Sequence, residues 1–244
     1  MPTYAEQYQS PSDIEPAGFA IRNHVRRQSA SVPLWFVAAI APMLVSEIVR
    51  LSQTDPFTWI AYDYAGRIIA LTVLAAVPAA RSVAFVHQEI RIPWWEVAFW
   101  IIGLVAFDSV VDHGISDHIN ALFPGTQLGQ YPSAHGWLFV IDTFLGLALV
   151  AYSEEVIFRR CAFEVLNGLV GDKSAMVVIT AALFTSYHWW TGAGNIVATM
   201  LFGVVAMLLY RRAGALLPVV LAHYLCDVFN FSGAAQMLSS GWAQ

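Results

Sequence analysis

Apolar and polar stretches alternate along this chain in long blocks. Seven apolar segments stand out, at residues 33–51, 59–80, 94–111, 136–169, 175–190, 195–210 and 214–231. A bilayer crossing takes about 20 residues, with a usual range of roughly 17–25. By that measure the fifth and sixth segments are short, and the fourth is much too long for one upright crossing. It either tilts strongly or projects beyond the membrane, and near its middle sits the polar run SEEVIFRR, Ser153–Arg160. Residues 1–31 are polar and lack helical periodicity, so they read as a mobile tail. Residues 232–244 read as a short C-terminal tail. Residues 112–135 read as the one sizeable aqueous connection.

Composition agrees with the pattern. The chain is 58% hydrophobic and 12% charged, with a mean hydropathy of +0.59, whereas a soluble domain carries about 25% charged residues. The expected fold class is therefore an all-α polytopic membrane protein of about seven transmembrane helices. Three accessory helices and an outside loop (32–135) would precede a four-helix core (136–231). Lys and Arg set the orientation. With the N-terminus cytoplasmic, Arg22, Arg26, Arg27, Arg81, Arg91, Arg159, Arg160, Lys173, Arg211 and Arg212 all fall on or toward the inside. Arg50 and Arg67 do not, and 112–135 has neither Lys nor Arg. Arg26 and Arg27 before the first segment give it a signal-anchor character. A net charge of −5 leaves no basic surface for nucleic acid. Cys161 and Cys226 lie in apolar stretches and read as buried thiols, with a disulfide between them left open.

Ionisable groups inside membrane segments cost about 2.5–3.5 kcal/mol each on insertion scales and are functional candidates by default. They concentrate in the last four segments: Glu154, Glu155 and Arg159 in EEVIFR, His188 in FTSYH, and His223 with Asp227 in HYLCD. Glu155 and Arg159 are four apart and share a helix face, with the acid on the favourable N-terminal side. Glu154 is rotated by about 100° from Glu155 and its own i+4 neighbour is Phe158, so it is expected to lack a local partner. A lone carboxylate in a low-dielectric site is suited to proton exchange. His223 and Asp227 also share a face. Counted along antiparallel helices, all these groups fall at a similar depth, about 14–22 Å from the cytoplasmic ends. A catalytic or metal site within the bundle follows.

The ordered motifs EExxxR, FxxxH and HxxxN/D resemble the signature of the CPBP family, the CaaX-protease and bacteriocin-processing intramembrane enzymes related to the Rce1 prenyl-protein protease. LLYRRAGALLPVVLAHYLCD is similar to that family's last helical pair. The resemblance covers about residues 136–231. It implies an intramembrane endopeptidase acting on a peptide or membrane-anchored protein, with Glu154 and His188 activating a water. It further implies that His223 and Asp227 hold the oxyanion, and that Glu155 and Arg159 brace the helix. Asp227 stands where the family has Asn or Asp. An ionised Asp cannot donate a hydrogen bond, so Asp227 would be protonated, hold His223 in the donating tautomer, or bind a metal. Glu154, His188, His223 and Asp227 are also the residues that would ligate a divalent ion such as zinc.

Other readings rest on other residues. Asp108, Asp112, His113, Asp117 and His118 in DSVVDHGISDH have spacings that suit a cation-handling transporter or an aspartate-motif prenyltransferase, although Asp commonly caps helices. A third class is a non-catalytic scaffold or immunity protein. Asp63 with Arg67, and Glu47 with Arg50, are expected as buried ion pairs of the early helices. On the protease reading, chemistry should depend only on the last four segments. Membrane lipids and a peptide substrate are the expected partners, and a bacterial inner membrane the expected location.

Overall fold

The computed structural model of the protein describes residues 32–171 and 174–231. The expected N-terminal and C-terminal tails lie outside the described residues. Eight helices form this region: α1 (Leu34–Arg50), α2 (Pro56–Ala76), α3 (Pro78–Ala84), α4 (Trp94–Leu122), α5 (Gly136–Val170), α6 (Ala175–Tyr187), α7 (Ala193–Ala213) and α8 (Leu217–Phe231). No strand occurs among the described residues. All seven apolar segments are helical, and α2, α4, α5 and α7 are long and apolar enough to cross a membrane. The chain is a multi-pass integral membrane protein, and many of its large apolar side chains, such as Trp95, Phe99, Ile102 and Phe144, face outward.

Two boundaries differ from expectation, each for a physical reason. Residues 112–122 are not loop but continue α4 through a π turn at Asp112–Ser116. This extension serves the start of α7. The side chains of Asn120 and Thr126 accept hydrogen bonds from the backbone of Gly194 (2.8 Å) and Ala193 (2.9 Å), satisfying orphan donors of the α7 N-terminus. The overlong fourth segment is one 35-residue helix, α5. It is interrupted by π turns at Asp142–Gly146 and Glu155–Cys161, and such wide turns commonly occur at functional positions.

The ends of α6 and α8 matter for access to the interior. At 13 and 15 residues these helices rise about 20 Å at 1.5 Å per residue, short of a hydrocarbon core of about 30 Å. After α6 the chain turns at His188 (φ −92°, ψ 21°), and the stretch around Trp190 and Thr191 meets the loop before α5. Leu128 donates to the Trp190 carbonyl at 2.9 Å, and Gln127 bridges Thr191 in antiparallel fashion. At the opposite end, Gly214 (φ +70°) closes α7 and lets the chain reverse into α8.

Burial ties the helices into one unit. Met43, Leu74, Leu104, Phe158, Phe184, Met207 and Leu209 are buried in a continuous core. The Cys161 and Cys226 thiols are buried and free. Outside the membrane segments, Asp55 caps α2 by accepting from the backbone N–H and hydroxyl of Thr58 (2.8 and 2.7 Å). Those two bonds hold its carboxyl below the usual carboxylate range. Helices α1 and α2 cross closely at Gly66, where a Cβ would lie 2.6 Å from Ser46 Cβ and 2.9 Å from the Pro42 carbonyl oxygen. Gly66→Leu should therefore lower the detergent melting temperature, through an overpacking penalty of about 1–3 kcal/mol. Gly103→Ala, whose added Cβ meets nothing within 4 Å, should leave it unchanged or raise it slightly. A Gly66→Leu protein that melts like wild type would contradict this crossing.

Candidate active site

Three helices carry the polar centre, as their motif spacing leads one to expect, but the pairing within it is different. Glu154 ends the regular α-helical part of α5, and Glu155 opens its second π turn. Both side chains are buried, with 2% and 0% exposure. An ideal helix would set them about 100° apart. Both nonetheless reach His223 on α8, each at a different ring nitrogen. Glu155 Oε1 lies 2.8 Å from His223 Nδ1, and Glu154 Oε2 lies 3.9 Å from His223 Nε2.

Glu154 is not without a partner. Its Oε1 is 2.8 Å from Arg67 Nη1 on α2, a helix that lies outside all three motifs. Its Oε2 has no hydrogen-bond partner among the described residues. The expectation of an unpaired Glu154 is thus corrected to half: one oxygen is held and the other is unsatisfied. The sequence logic missed Arg67 because an i+4 rule sees only neighbours on the same helix. The signal available was Arg67 itself, a cation in the middle of an apolar segment.

Glu155 serves two partners. Beyond His223, its Oε2 sits 3.1 Å from Arg159 Nε, and both side chains are fully buried. The Arg159 guanidinium also lies over the Phe184 ring at 4.2 Å, a cation–π contact of the kind that gains strength when desolvated. Phe184 in turn packs on His188, with ring centroids 4.6 Å apart.

Hydrogen-bond geometry assigns the tautomers. His188 Nδ1 is 3.0 Å from the Phe184 carbonyl oxygen. A carbonyl can only accept, so Nδ1 carries the proton and Nε2 is left to act. His223 Nδ1 faces the Glu155 carboxylate and by the same reasoning donates to it. The bond that orients His223 therefore runs to Glu155, not to Asp227. Asp227 Oδ2 stands 3.6 Å from His223 Nε2, on the same side as the unsatisfied Glu154 oxygen, and is itself without a hydrogen bond among the described residues.

Glu154, His188, His223 and Asp227 share one cavity of about 360 Å³. Its wall also includes Gln127, Gln130 and Tyr131 of the loop before α5, Thr191 of the chain between the short α6 and α7, and Asn195 in the first turn of α7. A polar route thus reaches the buried carboxylates from that end of the bundle. Arg50 and Arg67 complete the wall.

Among the described residues no group of three or more His, Cys, Asp or Glu side chains, Glu154, His188, His223 and Asp227 included, stands in a metal-holding arrangement. The same holds for the cluster at 108–118. Asp108 accepts from Asn230 on α8 at 2.9 Å. His113 and Asp117 are a solvent-facing pair 3.8 Å apart, and Asp112 lies in the π turn. These residues are explained by the α4 extension and its docking on α8. Neither Asp108 nor His118 lines the cavity.

No curated protein and no solved structure matches the chain significantly. A family model described as type II CAAX prenyl endopeptidase Rce1-like matches residues 136–229, from the start of α5 to near the end of α8. This segment holds all three motifs and the contacts of Glu154, Glu155 and Asp227 with His223, and over it the chain is similar to the Rce1-like family, in agreement with the resemblance that its motifs carry.

Proposed function

We propose that this protein is an intramembrane endopeptidase of the CPBP type that hydrolyses a peptide bond with a glutamate-activated water. The observation that carries the reading is the Glu154 carboxylate. It is buried, held by one oxygen, and presents the other, unsatisfied, to a cavity that also contains His188, His223 and Asp227. A general base needs a lone pair within reach of water and a fixed orientation, and Glu154 has both.

The steps follow from the atoms. Water lying between Glu154 Oε2 and His188 Nε2 gives its proton to Glu154 as its oxygen attacks the scissile carbonyl carbon. The carbonyl π electrons move to oxygen, and the oxyanion forms beside His223. With both ring nitrogens protonated, His223 donates to the oxyanion from Nε2 while Glu155 keeps Nδ1–H in place. Pre-oriented donors of this kind are worth about 10²–10³ in rate. Glu154 then returns its proton to the departing amine, the C–N bond breaks, and acid and amine products leave. Asp227 contributes a second oxyanion donor when protonated, the role an Asn would fill with its amide.

The substrate on this reading is a peptide or membrane-anchored protein segment, entering through the polar mouth formed by 127–131 and 188–195. With the N-terminus cytoplasmic, that mouth faces the outside. A bacterial inner membrane is the proposed location, with lipids around the α2, α4 and α5 surfaces. Nothing in the mouth calls for a prenyl group, and the matching family supplies a precedent for the reaction class alone.

Cleavage of a pooled library of membrane-anchored peptides by purified protein in nanodiscs tests the proposal. Glu154→Gln should lose at least about 10³-fold of the wild-type rate, and His188→Ala about 10²–10⁴-fold. Asp112→Ala, outside the cavity, should cut like wild type. Persistent cutting by folded Glu154→Gln would overturn the mechanism.

The position of Asp227 yields a separate expectation. Asp227→Asn should keep activity within about tenfold, or raise it, because the amide donates at every pH. Asp227→Ala should lose about 10²-fold if a donor matters there. Initial rates on the same peptide decide this: an Asn variant as impaired as the Ala variant would mean that Asp227 acts as a carboxylate.

A further inference from the structure

Buried charges continue beyond the Rce1-like segment in an unbroken line. Glu47 and Arg50 pair on α1, with Arg50 Nε 3.1 Å from Glu47 Oε2. Arg50 Nη1 donates to Asp63 Oδ1 on α2. Asp63 Oδ2 accepts from Arg67 Nε at 2.9 Å. Arg67 Nη1 reaches Ser153 Oγ at 3.1 Å and Glu154 Oε1 at 2.8 Å on α5. All five ionic side chains are at most 3% exposed. Their signs alternate, acid–base–acid–base–acid, and the chain ends on the carboxylate that faces the cavity. The pairs Glu47–Arg50 and Asp63–Arg67 are those expected from spacing. Their linkage to each other and to Glu154 is tertiary.

We propose that Arg67 is the positioning residue for Glu154, and that the α1–α2 ion chain exists to hold Arg67 in register; this rests on the endopeptidase reading above. Three observations support a role beyond stability. First, Arg67 binds one Glu154 oxygen and leaves the other unsatisfied, so it selects which oxygen meets the water. Second, every donor position it uses is committed in a fixed direction: Nε to Asp63, Nη1 to Ser153 and Glu154. A planar guanidinium can impose such directions, and a rotating ammonium cannot. Third, buried ion pairs are weak contributors to stability, because desolvation offsets their attraction, and well-packed apolar residues often serve as well. A five-member chain that ends on a candidate base is therefore better explained by placement. Arg50 anchors its far end by lying over Trp59 and Trp190, at 4.1 and 5.0 Å from the ring centroids. The α1–α2 pair is thereby tied to the turn that carries His188.

The consequence is that the catalytic unit is not confined to the last four helices. A misplacement of about 1 Å by a supporting residue can cost about 10²-fold in rate, so helices outside the family match would set kcat.

The test compares wild type, Arg67→Lys, Arg67→Met and Asp63→Asn, each with a melting curve. One arm uses a peptide that wild type cuts in a Glu154-dependent way. Arg67→Lys, which keeps the charge but not the fork, should lose about 10²-fold in kcat at nearly unchanged KM. Arg67→Met should fall to the Glu154→Gln level, and Asp63→Asn should lie between wild type and Arg67→Lys. The second arm needs no activity: ring ¹⁵N signals of histidine-labelled protein, with His223 assigned by His223→Asn. Moving Glu154, 3.9 Å from His223 Nε2, should shift that signal in folded Arg67→Lys and Asp63→Asn by several ppm, while His87 and His135 stay in place. A purely structural role would lower the melting temperature and leave the His223 signal of the folded fraction at its wild-type position. That result, or wild-type kcat in a folded Arg67 variant, overturns the proposal. If wild type cuts nothing with Glu154 dependence, the endopeptidase reading falls, and the His223 signal alone decides whether Arg67 places Glu154. Should both Arg67 variants fail to fold, Asp63→Asn carries the same decision.

Discussion

A carboxylate sealed between apolar helices is stable only beside a cation or strong donors, because the desolvation of a lone charge exceeds what packing returns. Glu154 and Glu155 are two such groups, adjacent in sequence and buried together on α5. Their partners come from three directions: Arg67 on α2, His223 on α8 and Arg159 one turn along the same helix. Satisfying both carboxylates therefore requires α2, α5 and α8 to meet at one point. The line of charge from Glu47 to Arg67 continues that requirement to α1. Around it, apolar packing such as Met43, Leu74 and Phe158 closes the bundle with no need for directional contacts.

The second constraint is water. The proposed hydrolysis would need an aqueous path through a hydrocarbon environment, and an unsatisfied polar group needs somewhere to find a partner. Helices that stop early open the cavity that serves the second need and would serve the first. Because α6 ends at Tyr187, His188 sits on a turn at the inner end of a polar mouth, not in mid-helix. The antiparallel contact of Gln127 with Thr191 pairs backbone beside the cavity, and non-helical backbone within a membrane is tolerated only when it is buried in protein or lines a cavity. Where the π turn at Glu155–Cys161 begins, two neighbouring acids reach the two nitrogens of one imidazole.

Hydrogen bonding fixes one polar atom of each central group: His188 Nδ1 on a carbonyl, His223 Nδ1 on Glu155, Glu154 Oε1 on Arg67. The second Glu154 oxygen and the two imidazole Nε2 atoms are left for other partners, as the proposed water activation requires.

Much was legible beforehand. The seven apolar segments are helical because a run of apolar residues in hydrocarbon must satisfy its backbone internally, whatever its neighbours do. The i+4 pairs Glu155–Arg159, Glu47–Arg50 as an i+3 variant, and Asp63–Arg67 follow from helix geometry alone. The three motifs on α5, α6 and α8 point to the polar centre where their side chains meet and to the likeness with the Rce1-like family, because side-chain type and order along the chain carry that information. The rest was decided in three dimensions. That Glu154 is held by Arg67, that Glu155 and not Asp227 orients His223, that 112–122 caps α7, and that α6 stops short of a full crossing all depend on contacts between residues many positions apart. Helical periodicity tells which residues share a face of one helix. Which faces meet is set by how buried charges find partners once the helices pack.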